Sequence, residues 1–172
     1  MKLITGYFLS PIGWLEIKAY STYIISLKFV DNINLPFRKS KSKLIIKLTK
    51  QLNGYFKHKR RVFDLPCNLN GTEFQLKVWG KVLAVPYGKT TSYTKIAIQL
   101  GSSKNARAVG NAVGGNPIPI LIPCHRVIGE NKEMVGYSGG LWRKQWLLEH
   151  EGYDNQLLLQ FKSQKTHSSK RQ

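Results

Sequence analysis

The sequence is short of acidic residues and of cysteines, and it has no long apolar run. Of its 172 residues only 9 are Asp or Glu, against 27 Lys or Arg, which leaves a net charge of +18 and a pI near 10.1. So large a field of one sign favours polyanionic partners such as DNA, RNA or an anionic membrane surface. A uniformly basic proteome would give the same balance, so charge alone does not choose. Two cysteines, Cys67 and Cys124, are too few for a disulfide framework. With four scattered histidines they make no closed zinc pattern by spacing, and no metal site is expected. No apolar stretch approaches the roughly 20 residues that span a bilayer, which excludes a helical membrane protein. The opening ten residues are broken at Thr5 and Gly6 and make no convincing signal peptide, so the expected location is the cytoplasm. There is no internal repeat. What the chain does hold is 42% hydrophobic and 11% aromatic residues, enough for a sizeable core, and this excludes a disordered chain.

Periodicity divides the chain. Leu15, Ile17 and Ala19 alternate with Glu16, Lys18 and Tyr20, and Tyr23, Ile25, Leu27 and Phe29 alternate with Ile24, Ser26, Lys28 and Val30. A period of two, with turns at residues 11–13 and 20–22, predicts a small antiparallel sheet. From Ser40 to Lys57, Leu44, Ile45, Leu48, Leu52, Tyr55 and Phe56 recur at helical spacing, with lysines on the other face. The basic run from Arg38 to Arg61 holds ten Lys or Arg and no acid. A boundary is expected near Asn70-Gly71. Beyond it, Thr72-Glu73-Phe74-Gln75 is a capping-box pattern opening a helix up to Ala84, and Pro86-Tyr87-Gly88 breaks that helix. Ser92 caps a second helix that stops at Gly101. A third runs from Lys104 or Asn105 to Val113, and a last from Leu141 to His150. The expected division is a sheet-plus-helix domain over 1–70, a mostly helical domain over 71–155, and a basic, disordered tail over 156–172.

Two helices joined by a Gly-Ser turn have the shape of a helix-turn-helix. The second of them is thin: Ala106, Ala108, Val109, Gly110 and Ala112 surround Arg107, its one long basic side chain. A major-groove reader needs several long polar groups. This helix suits either close approach to a narrow groove, with Arg107 projecting, or tight packing in a core, and its composition alone favours packing. Downstream, an apolar run ends at Pro123 and is followed at once by Cys124, His125 and Arg126. A thiolate needs a cationic or hydrogen-bonding setting near neutral pH, which His125 and Arg126 are placed to offer. Neighbours on an extended chain point to opposite sides, so a Cys–His pair here requires a turn or a bridging water. Glu151, after the last helix, is a candidate to hold the imidazole.

Pro123-Cys124-His125-Arg126-Val127 resembles the active-site motif of the O6-alkylguanine-DNA alkyltransferases. Pro86-Tyr87-Gly88 with Thr91-Ser92-Tyr93 resembles that family's lead-in, and Ala106-Arg107-Ala108-Val109-Gly110 its recognition helix. Gly115-Asn116-Pro117 resembles its asparagine hinge, Gly136-Tyr137-Ser138-Gly139-Gly140-Leu141 its substrate-pocket loop, and Trp146 to Gly152 its last helix. All fall in the family's order between Phe74 and Gly152. The resemblance implies an α+β fold, with a small antiparallel sheet and helix of ribonuclease H-like type followed by a mostly helical domain with a helix-turn-helix. It implies direct-reversal DNA repair on a flipped-out base. The alkyl group, mainly methyl, would pass irreversibly from O6-alkylguanine, and on the same terms O4-alkylthymine, in double-stranded DNA to Cys124. Each molecule would act once, as a monomer, without a cofactor or a membrane.

The resemblance also assigns roles. His125 would take the thiol proton through a water, oriented by Glu151, while Asn116 braces the active-site turn and Tyr93 assists the leaving guanine. Tyr137, Ser138, Val127 and Lys144 would bind the base, with backbone groups of Cys124 and Val127 reading its edge. Ala106, Arg107, Ala108, Gly110 and Tyr93 would meet DNA, Arg107 filling the gap left in the stack. Cys67 is read as structural. The one His before Cys67, His58, gives no zinc site in the N-terminal part. The alternatives are a non-catalytic damage sensor, which the reactive Cys opposes, a Cys-His hydrolase, and a helix-turn-helix regulator, which should not need Cys124.

Overall fold

The computed structural model describes residues 2–31 and 40–153. Arg38 and Lys39 of the basic run and the whole of the expected tail lie outside the described residues. Strands β1 (Ile4–Ser10), β2 (Gly13–Ala19) and β3 (Ile24–Val30) form an antiparallel meander in the order β1-β2-β3. Leu15, Ile17 and Ala19 are buried as their alternation requires. β3 departs from simple alternation, burying Ile24 and Leu27. The cause is a register shift: Lys18 faces Ser26, but Ala19 faces Ile24, so Ile25 is the extra residue of a bulge. A bulge moves the residues beyond it to the opposite face.

Helix α1 (Lys43–Phe56) packs on this sheet and buries Ile45, Leu48, Leu52 and Tyr55. Its buried Gln51 exchanges two hydrogen bonds with the backbone of Asp64, at 3.1 and 2.9 Å, and so ties the following linker to the helix. The linker then runs beside β3: Ile24 N donates to Pro66 O, and Asn68 N to Ile24 O, each at 2.9 Å. Leu27 N donates to Pro117 O, also at 2.9 Å, so residues of the second half complete the same edge. Buried apolar side chains of both halves make one continuous cluster.

The second half begins with α2 (Glu73–Leu83). Its capping box is formed, Gln75 N donating to Thr72 Oγ1 at 3.2 Å and Thr72 N to Gln75 Oε1 at 2.9 Å. A two-residue parallel pair, β4 (Thr91–Ser92) with β5 (Val127–Ile128), was not expected; it is too short to leave a periodic signal. Helix α3 (Tyr93–Gln99) is capped by Ser92 Oγ, which accepts from Lys95 N at 3.1 Å. A 3-10 turn at Ser103–Asn105 leads into α4 (Ala106–Gly114). α4 buries Val109, Ala112 and Val113, and Trp79 Nε1 of α2 donates to Ala112 O at 2.8 Å. Helix α5 (Leu141–His150) closes the α+β fold. Among the described residues no helix is long and apolar enough to cross a membrane.

Candidate active site

The segment between α4 and β5 is held by Asn116. Its Oδ1 accepts from Ile118 N at 3.0 Å, an Asx-type turn, while its Nδ2 donates to Ile122 O at 2.8 Å. Between these anchors Ile120 has φ 74°, a costly conformation for a β-branched residue that only firm surroundings maintain. The chain then enters a 3-10 turn at Cys124–Arg126, where Cys124 N donates to Ile122 O at 2.8 Å and Arg126 N to Pro123 O at 2.9 Å. The chain is thus turned, not extended, where Cys124 and His125 stand.

His125 is fully buried, and its Nε2 lies 2.9 Å from Glu151 Oε1. Glu151 is the meeting point of five donors. Its Oε1 also accepts from Tyr55 Oη at 2.8 Å and Arg126 Nη2 at 2.9 Å, and its Oε2 accepts from Arg126 Nε at 2.8 Å and Gly88 N at 3.2 Å. Burial alone would raise its pKa, but hydrogen bonds and charge from His125 and Arg126 outweigh it and hold the carboxyl well below the usual range. Ionised Glu151 is acceptor-only, so Nε2 carries the ring proton and Nδ1 keeps a lone pair. Nδ1 has no protein partner among the described residues. Burial also lowers the pKa of His125, so the ring is neutral, a base, at pH 7. Gly88 sits at φ 70°, and a Cβ there would stand 2.8 Å from Glu151 O; the turn requires glycine.

Burial pushes the Cys124 thiol up to about 11, against the lowering effect of the Asn116 side chain and the Lys144 charge. Cys124 is therefore a thiol at neutral pH, not a standing thiolate. Here the expected part of Arg126 is corrected. Its guanidinium does not serve the sulfur but forks onto Glu151 and donates to Val85 O at 2.6 Å. Lys144 is fully buried rather than solvated; its Nζ donates to Val127 O, Val135 O and Gly136 O at 2.6, 2.7 and 3.3 Å. Burial pulls it down to about 8, which leaves the ammonium charged at pH 7 as its three acceptors require. The lysine thus ties the 135–136 loop to β5.

A cavity of about 400 Å³ opens over Cys124, between α4 and the loop from Val135 to Ser138. It brings together Tyr93, Ala106, Arg107, Gly110, Tyr137 and Ser138. Tyr93 Oη donates to Val135 O at 3.1 Å, and burial raises its pKa to about 12. The buried Tyr137 hydroxyl has no protein partner among the described residues. Arg107 and Ala108 are exposed. His125, Glu151, Asn116, Lys144 and Val127 stand in the interior and do not line the cavity. The backbone groups expected to read the base are already engaged: Val127 O accepts from Lys144, and Val127 N donates to Cys124 O. Each carbonyl keeps one lone pair. Tyr55 was missed as a site residue, because on periodicity it is one more member of the apolar stripe of α1; a lone hydroxyl on that stripe was the available signal.

The family profile described as "6-O-methylguanine DNA methyltransferase, DNA binding domain" matches residues 73–153. A Mycobacterium tuberculosis protein named methylated-DNA–protein-cysteine methyltransferase is 42% identical over 145 residues, 83% of this chain and 88% of that one. The crystal structure of the M. tuberculosis O6-methylguanine methyltransferase superposes with a TM-score of 0.78 at 38% identity, covering 93% of this chain and 99% of that one. A structure titled M. tuberculosis OGT in complex with DNA gives 0.77 at 40% identity, covering 86% and 91%. Likeness of this extent spans the sheet as well as the site, and on it the chain belongs to the methylated-DNA–protein-cysteine methyltransferase family.

Proposed function

We propose that the chain repairs alkylated DNA by moving the alkyl group of O6-alkylguanine, and on the same chemistry O4-alkylthymine, onto Cys124. The observation that carries this reading is a buried thiol on a cavity floor, next in sequence to a neutral imidazole whose far nitrogen is fixed by Glu151. The target atom of a stacked base is out of reach, so the base swings into the cavity. Arg107, exposed on α4 beside that cavity, fills the gap, with α3 and α4 acting as a helix-turn-helix on the minor groove.

His125 Nδ1 takes the Cys124 proton through a water as Sγ attacks the alkyl carbon. The S–C bond forms while the C–O6 bond breaks; guanine leaves with a proton donated by the Tyr93 hydroxyl, and the tyrosinate recovers one from the His125 imidazolium through water. The balance is one proton moved from Cys124 to guanine and one alkyl group moved to sulfur. The thioether has no reversing group nearby, so each molecule acts once. The groups that meet base and DNA all fall within residues 71–155, the catalytic and DNA-binding part of a protein that acts as a cytoplasmic monomer.

The test is intact-protein mass after incubation with a duplex holding one O6-methylguanine. A gain of one methylene at Cys124, capped at one per chain and absent in Cys124→Ala, is the expected result. Lesion-selective binding without any gain would instead fit a damage sensor. No gain and no selectivity would sink the repair reading.

A further inference from the structure

We propose that Tyr55, carried by α1 in the sheet-plus-helix half, is a positioning residue of the alkyl-accepting site: its hydroxyl donates to Glu151 and so sets how strongly His125 holds a proton. The inference deepens the alkyl-transfer reading and rests on it. Tyr55 is fully buried, and its Oη lies 2.8 Å from the carboxylate oxygen that His125 Nε2 reaches at 2.9 Å. Phenol and imidazole therefore compete for one acceptor. A hydrogen bond to a carboxylate stabilises its charged form and weakens its pull on a neighbouring imidazolium.

The phenol is a fixed donor. Burial, and after it the Glu151 charge, keep its pKa well above the ordinary tyrosine value. Its ring is packed by Phe56, Phe63 and Tyr87, with centroids 5.2, 5.6 and 6.2 Å away. The Tyr55 carbonyl accepts from His150 Nε2 at 2.9 Å, so one residue holds both His150 and Glu151 at the end of α5. The other titratable or charged groups around His125 and Glu151 are Arg126, Lys144, Tyr87, Tyr137, His150 and the Cys124 thiol. None is altered by Tyr55→Phe.

The experiment has two readouts for wild type and Tyr55→Phe: NMR titration of the His125 imidazole in the free protein, and the pH profile of methyl transfer to Cys124 from an O6-methylguanine duplex. With the donor gone, the His125 titration is expected to move up by roughly half a unit to one unit. The acid limb of the rate moves with it, slowing transfer by about three- to tenfold on that limb and little at alkaline pH. 3-Fluorotyrosine placed at position 55 alone, a stronger donor of nearly the same shape, moves both the opposite way; it also decides the matter if Tyr55→Phe does not fold. Superimposable titrations and profiles overturn the proposal, as does a loss of rate uniform at every pH, which is what a packing role gives. A wild type that transfers nothing to Cys124 overturns the alkyl-transfer reading instead, and the titration then still decides whether Tyr55 acts on His125.

Discussion

At the scale of single residues the site is an arrangement of groups kept in the protonation states that the proposed transfer needs. Cys124 stays a thiol, His125 a neutral base, Glu151 an anion and Lys144 a cation. This has a consequence in acid. His125 and Glu151 both have folded pKa values below their ordinary 6.5 and 4.5. On the acid side the unfolded chain therefore binds more protons, and stability present above pH 6.5 is lost as the pH falls, first through His125 and then through Glu151. Denaturant unfolding between pH 7.5 and 4 is expected to show stability falling by up to about 1.4 kcal/mol per pH unit for each proton taken up. His125→Asn should flatten the part of that fall just below pH 6.5; an unchanged slope there would show that His125 is not its source. Cys124 and His125 were legible as a pair in the sequence because they are contiguous. The Tyr55–Glu151 bond was not, because its partners lie 96 residues apart.

At the scale of elements, helix ends were readable and strand details were not. Thr72 and Ser92 cap where expected because capping is local: the side chain bonds an amide three residues ahead. The bulge at Ile25 and the β4–β5 pair depend on a partner strand, and nothing in the strand itself announces them. Two substitutions separate stability from site geometry. Thr72→Ala removes the cap of α2 and is expected to cost about 1 kcal/mol while leaving the transfer rate intact. Gly139→Ala is expected to cost stability by overpacking and, unlike the cap variant, to disturb the site as well. A Cβ at Gly139 would stand 2.7 Å from both the Phe29 and Tyr137 rings, so it displaces Tyr137 from the cavity wall. Transfer should slow by about tenfold or more, the cost of a misplaced contact near the reacting atoms. Melting curves and single-turnover rates on the two variants give the comparison.

At the scale of the whole molecule, charge and connectivity matter most. The net +18 was legible at once, and it predicts that affinity for duplex DNA falls linearly in log–log terms as salt rises. A loss of at least about tenfold between roughly 50 and 200 mM salt is expected in fluorescence anisotropy; a flat response would remove phosphate neutralisation from the account. Connectivity was less legible. The boundary at Asn70-Gly71 suggests two units in series, yet the edge of β3 is completed by Pro66, Asn68 and Pro117 together. That seam bears on how the chain is made. A ribosome delivers the three strands well before Pro117, and Leu27 N gains its acceptor only when residue 117 has emerged. The meander is thus translated before Pro117 yet completed only after it, and this edge hydrogen bond forms only with the half of the chain that carries Cys124.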